Sequence, residues 1–134
     1  PVREVDGVLW INDSKATNLD ATEKALQAQT KPIVLIAGGK DKGFDFKPLA
    51  ALVKERTHTA VLIGEMASRI ADDWRQATRC EIASSLADAV EREYAAARAG
   101  DVVLFSPGTS SVDMFKRYAD RDDQFRALVC ALRT

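Results

Sequence analysis

Five short runs, at residues 8–11, 33–37, 60–63, 80–83 and 102–105, apolar throughout except for Glu81, alternate along this chain with stretches patterned for helices. Runs of this length suit strands covered on both faces, and strands that alternate with helices connect as parallel βαβ units. The rhythm predicts an α/β domain of three layers: a mostly parallel sheet of five to six strands with helices on both faces. The 134 residues fit a single domain, residues 1–134, long enough to bury about two-thirds of the surface of the unfolded chain. Residues 2–5 add a short antiparallel edge strand ahead of a turn at Asp6-Gly7. Pro32 stands at the entry of the second run, where a missing donor matters least.

The helices are expected in the gaps. Asp20 suits the N-cap of a helix over residues 21–29, with Glu23 at the capping-box position. Pro48 suits the first turn of a helix that runs to about Arg56. A third helix is expected over 66–76. Ser84 or Ser85 caps a fourth, which turns Leu86, Ala89, Val90 and Tyr94 inward and ends at Gly100. Residues 111–132 read as helix with a break near 120–123. No internal repeat, low-complexity tract or linker is visible.

Composition narrows the class. Lys plus Arg is 19 and Asp plus Glu is 20, so no global field favours nucleic acid or an anionic membrane. No apolar run approaches the roughly 20 residues of a membrane span, and no basic-then-apolar signal segment opens the chain. Cys80 and Cys130 are far apart, with no CxxC or Cys/His spacing, and read as reduced packing thiols of a cytosolic protein. The chain opens on Pro1 rather than Met and reads as strand from residue 2, which suggests a piece of a larger protein.

The chemistry-bearing residues cluster where apolar runs end. NDSKATN (residues 12–18) follows the first run, GGKDKG (38–43) the second, Gly64-Glu65 the third and SPGTSS (106–111) the fifth. In a parallel sheet these exits share one edge, and that edge is where open α/β sheets bind ligands. Glycines let backbone N–H groups approach an anion, and a loop that opens a helix favours negative charge. Each segment also has a plainer reading. GGKDKG can be a surface turn, SPGTSS an N-cap with a turn, and NDSKATN an Asx-turn; their coincidence on one edge favours an anion pocket. GGKDKG is not a Walker A loop, because Gly43 rather than Ser or Thr follows Lys42, and no GxGxxG fingerprint stands at the first exit.

Other candidates carry less. His58 reads as a surface loop residue, Trp10 and Trp74 as packing residues, and Glu91-Arg92-Glu93 as a solvated helix face. Asp72 and Asp73, adjacent on a helix, point in different directions and do not make a metal pair.

NDSKATN after one strand, a GGxDK-type loop after the next and SPGTSSVDMFKRYADR (residues 106–121) resemble the C-terminal domain of the Mur ligases, most closely those that add D-glutamate. The resemblance covers essentially the whole chain, in order. It implies a dinucleotide-binding-type (Rossmann-like) domain that closes over the active site of a three-domain enzyme, whose N-terminal UDP-binding and central ATPase domains are absent from this chain. The implied reaction is ATP-dependent addition of D-glutamate to UDP-N-acetylmuramoyl-L-alanine in peptidoglycan synthesis, through an acyl phosphate and with Mg2+ bound mainly by the central domain.

By position, the resemblance assigns Asp13, Asn12 and Lys15 to the nucleotide, and Lys15, Thr17, Lys42, Ser111, Val112 and Tyr118 to D-glutamate. It assigns this domain no catalytic residue of its own and no metal ligand. A dianionic amino acid needs at least one cation and several neutral donors, which this set offers. The implied protein is a cytoplasmic monomer whose partners are its own other domains and its substrates D-glutamate, UDP-N-acetylmuramoyl-L-alanine and ATP, not nucleic acid or membrane. The chain alone is expected to be inactive. One departure concerns Asp122, which follows Arg121 where the family commonly has glycine. An alternative from another class is a non-catalytic α/β module that senses a nucleotide or small anion.

Overall fold

A computed structural model describes residues 3–13, 19–39, 45–106 and 118–132. In chain order the elements are β1 (Arg3–Val5), β2 (Val8–Asn12), α1 (Leu19–Gln27), β3 (Ile33–Gly38), a 3-10 turn (Lys47–Leu49) that leads into α2 (Ala50–Arg56), β4 (Thr57–Ile63), α3 (Ala67–Trp74), β5 (Arg79–Ile82), α4 (Leu86–Ala96), β6 (Val102–Phe105) and α5 (Tyr118–Cys130). The six strands form one sheet in the order β1-β2-β6-β3-β4-β5. Only β1 runs antiparallel, against β2; the other pairings are parallel. The Asp6-Gly7 turn between β1 and β2 takes φ of 52° and 79°, the two left-handed residues of a type I′ hairpin.

The apolar runs are continuous because the central strands are covered twice. Ile33, Leu35 and Ala37 of β3 face Leu26 of α1, Val53 of α2 and Ile70 and Trp74 of α3. Val34 and Ile36, one residue out of phase, face Leu86, Ala89 and Val90 of α4 and Phe125 and Val129 of α5. Helices α1–α3 therefore make one outer layer and α4–α5 the other. Trp10, Trp74, Phe46, Phe105 and Phe125 are fully buried, each removing a large apolar area from water. Trp74 also donates its indole N–H to the Phe46 carbonyl oxygen at 2.8 Å.

Several expectations need correction. Helix α1 starts at Leu19, so Asp20 lies inside its first turn and not at the cap; there it pairs with Lys24 at 3.2 Å. Helix α4 ends at Ala96, with Ala97 as C-cap, rather than at Gly100. Its inner face includes Glu93, fully buried, while Tyr94 is 39 % exposed and sends its hydroxyl to Asp6 at 3.1 Å. Position 93 follows Leu86, Ala89 and Val90 at helical spacing, so geometry overrode polarity. Helix α5 runs unbroken through residues 120–123, so Asp122 marks no break. His58 is the second residue of β4 rather than a loop residue, and its Nε2 lies 2.9 Å from Asp101 Oδ2. Cys130 is exposed and not a packing residue, while Cys80 is half-buried; neither forms a disulfide. The α4 N-cap is, as expected, one of the two serines: Ser85, which accepts from the Asp88 N–H.

Candidate functional site

The parallel register brings the strand exits together. Asn12 of β2 stands beside Phe105 of β6, Ile36 of β3 beside Phe105, and Gly38 of β3 beside Ile63 of β4. Backbone bonds extend this order one residue past the strands. The Asp13 N–H donates to the Phe105 carbonyl oxygen at 2.7 Å, and the Ser106 N–H to that of Ile36 at 3.1 Å. The Met66 N–H donates to the Gly39 carbonyl oxygen at 3.0 Å, which ties the β3 exit to the start of α3.

At the centre of the edge sits a small polar cluster. The Ser106 hydroxyl donates to Asp13 Oδ2 at 2.9 Å, and its oxygen lies 3.1 Å from Thr22 Oγ1. The Thr22 hydroxyl reaches the Ser106 carbonyl oxygen at 3.3 Å. Ser106 and Thr22 are fully buried, whereas Asp13 is half-buried at the edge. Burial raises the Asp13 pKa, and the Ser106 hydrogen bond opposes that rise. The result is a carboxylate held by the fold and turned neither fully in nor fully out, suited to accepting hydroxyl or amine donors.

A groove of about 470 Å³ runs from Asp13 between β2 and α1, lined by Ile11, Asn12, Asp13, Ala21, Lys24 and Gln29 among others. A groove of about 690 Å³ lies at the opposite edge, around Pro32, His58, Arg79, Arg98 and Asp101. Size alone would favour the latter. The carboxyl ends of the strands are where parallel sheets gather ligand-binding loops, whereas the carboxylate at the other edge, Asp101, is buried and already held by His58 and the Arg98 N–H, so the site is assigned to the edge of Asp13. Among the described residues, no three His, Cys, Asp or Glu side chains converge as a metal site would need, and no helix is long and apolar enough to cross a membrane.

Of the residues singled out from the sequence, Asn12 and Asp13 are at this edge, the latter in the polar cluster. Tyr118 is the first residue of α5, with its side chain outside the described residues. Lys15, Thr17, Lys42, Ser111 and Val112 also lie outside the described residues. Sequence reasoning did not assign roles to Ser106 and Thr22. Ser106 stood in plain view as the first residue of SPGTSS; Thr22 was signalled only by its place one helical turn before Leu26 on the buried face of α1.

The chain matches the family described as Mur ligase, glutamate ligase domain over residues 1–109. The chain belongs to the Mur ligase family. Among curated Mur ligases, the UDP-N-acetylmuramoylalanine--D-glutamate ligase of Geotalea daltonii is 50% identical over 131 residues, which is 98% of this chain and 29% of the relative. That of Chlorobaculum tepidum is 50% identical over 123 residues, 92% of this chain and 26% of the relative. The chain thus spans under a third of the length of the relatives it matches. Solved structures agree in fold. A murein peptide ligase from Psychrobacter arcticus superposes with a TM-score of 0.61 at 12% identity, over 98% of this chain and 29% of that one. A domain from a Haemophilus ducreyi ligase gives 0.59 at 15%, over 94% of this chain and 95% of that one.

Proposed function

We propose that this chain is the substrate-closing C-terminal domain of an ATP-dependent ligase that adds D-glutamate to UDP-N-acetylmuramoyl-L-alanine in peptidoglycan synthesis. The observation that carries the reading is the Asp13 carboxylate, fixed by Ser106 at the carboxyl edge of a parallel sheet, in a chain half identical to ligases named for this reaction. Asp13 and Asn12 contact the nucleotide, Asp13 through hydroxyls of the ribose. A half-buried acceptor fits that role, since a carboxylate repels phosphates and accepts from hydroxyls. Lys15 reaches toward the phosphate or the amino acid. Thr17, Lys42 and Ser111, with Val112 and Tyr118, hold the carboxylates of D-glutamate.

ATP activates the substrate carboxylate as an acyl phosphate, and the D-glutamate amine displaces phosphate from it. Mg2+ would neutralise phosphate charge when bound, and its binding falls mainly to the central domain. This domain's own work is positioning: it orients the amine and the nucleotide and excludes water on closure. Such a protein works in the cytoplasm, where ATP and the UDP-sugar are found, and as a monomer.

Since the domain holds only part of each pocket, the 134 residues alone bind D-glutamate and ATP at millimolar levels or not measurably, and do not turn over. The deciding experiment assays the full-length gene product for ADP release with UDP-N-acetylmuramoyl-L-alanine. Release should depend on D-glutamate and not on L-alanine or meso-diaminopimelate. Preference for another amino acid would overturn the substrate assignment, and micromolar binding of D-glutamate by these 134 residues would overturn the claim of a partial site.

A further inference from the structure

We propose that Ser106, braced by Thr22, is a positioning residue for the ligand contact of Asp13: a hydroxyl that never touches ligand sets where the carboxylate stands. The inference rests on the reading of Asp13 as a nucleotide contact given above, and adds to it two residues on other elements.

The geometry brings Ser106, through its hydroxyl, to two side chains, Asp13 and Thr22. Its N–H is spent on Ile36, its carbonyl oxygen accepts from Thr22, and the residue is fully buried. Its single hydroxyl proton has two acceptors within reach, Asp13 Oδ2 at 2.9 Å and Thr22 Oγ1 at 3.1 Å. A hydrogen bond to a charged acceptor is roughly twice as strong as a neutral one, so the proton goes to the carboxylate. The Thr22 hydroxyl then serves as donor to the Ser106 carbonyl oxygen. Asp13 is therefore held at two points, through its own N–H on Phe105 and through Oδ2 on Ser106. Among the described residues no donor meets the second oxygen, Oδ1, which is the one assigned to a ligand hydroxyl.

Three elements meet here: the exit of β2, the exit of β6 and the inward face of α1. A merely structural tie between strands would not need its donor aimed at a half-buried carboxylate, since Ser106 and Asp13 already bond through the backbone to β3 and β6. The Ser106 hydrogen bond also lowers the Asp13 pKa against the opposing effect of burial. Loss of the hydroxyl therefore moves that titration upward.

The test uses the full-length enzyme with Ser106→Ala, Thr22→Val, Asp13→Asn and the double variant Asp13→Asn/Ser106→Ala. Ser106→Ala should raise the KM for ATP about tenfold, the scale of one hydrogen bond to a charged group, with the KM for D-glutamate nearly unchanged. The acidic limb of kcat/KM for ATP should move to higher pH. In the Asp13→Asn background Ser106→Ala should add almost nothing, because residues that act as a unit are not additive. Thr22→Val should act in the same direction, more weakly, and serves if Ser106→Ala folds poorly. Effects of Ser106→Ala and Asp13→Asn that multiply independently, or an acidic limb that stays in place, would overturn the proposal. A carboxyl carbon NMR titration of Asp13 separates the two layers. If Asp13→Asn leaves the KM for ATP unchanged, the nucleotide reading fails and this proposal with it, yet a titration still raised in Ser106→Ala would keep the hydrogen bond itself as fact.

Discussion

The carbonyl oxygen of Ile63 occupies the space that a side chain on Gly38 would need. The two residues stand side by side in register at the ends of β3 and β4, and Gly38 takes φ of 116°, a conformation open essentially to glycine alone. Gly38→Ala should therefore cost about 3 kcal/mol, combining backbone strain with displacement of a buried strand end. Urea denaturation of the 134-residue chain would measure it. A loss below about 1 kcal/mol would mean that the β3 exit relaxes easily and that the close approach is not required.

The same strand shows what could be read in advance. Residues 33–37 were legible as strand because burial on both faces removes any need for polar alternation, and the same holds for 102–105. The edge strand β5 was displaced by one residue, to Arg79–Ile82, because an edge strand is only partly buried and its apolar signal is weak. Asp13 was legible as a candidate because it stands in the polar segment that begins where the apolar run 8–11 ends. Ser106 and Thr22 were not, because their role depends on β2 and β6 being neighbours, and strand order is a long-range fact that local pattern does not encode. The inward turn of Glu93 was hidden for the opposite reason: a lone carboxylate between Arg92 and Tyr94 looks solvated until helical phase is known.

Glu93 carries a pH prediction. Burial, and secondarily the charge of Glu81, raises its pKa well above the usual value, and both carboxyl oxygens are buried with no hydrogen-bond partner among the described residues. Arg92, its neighbour, is committed to Glu81 at 3.0 Å and Asp88 at 3.1 Å. The folded state thus keeps a proton that the unfolded chain releases above roughly pH 4.3. Between that value and the raised folded value, this group makes stability fall as pH rises, by about 1.4 kcal/mol per pH unit. Glu93→Gln, which has no charge to bury, should be more stable than the parent at pH 7 and lose this slope. Chemical denaturation at several pH values would check it; parallel stability–pH curves for the two proteins would refute it.

The N-terminus of α4 separates two adjacent serines. Ser85 accepts from the Asp88 N–H at 3.0 Å, whereas Ser84 sends its own N–H to Asp88 Oδ2 at 2.9 Å, a backbone contact that survives loss of the side chain. Ser85→Ala should cost about 1 kcal/mol, and Ser84→Ala a few tenths. Thermal unfolding of the pair decides it: equal losses would show that the cap is shared.

Lys42 offers the sharpest test of how the two substrates divide between the loops. It lies outside the described residues, but the loop that carries it leaves β3 through Gly38 and Gly39, and the Gly39 carbonyl oxygen is fixed by the Met66 N–H. The loop therefore starts from a rigid point on the same edge as Asp13. If Lys42 meets a carboxylate of D-glutamate, Lys42→Ala in the full-length enzyme removes a charge-assisted contact of about 1.5–3 kcal/mol. The KM for D-glutamate should then rise roughly ten- to a hundredfold, with that for ATP changed far less. Steady-state kinetics with each substrate varied in turn would read this split. Equal increases for both would identify Lys42 as a phosphate contact and move the D-glutamate carboxylates to Thr17 and Ser111.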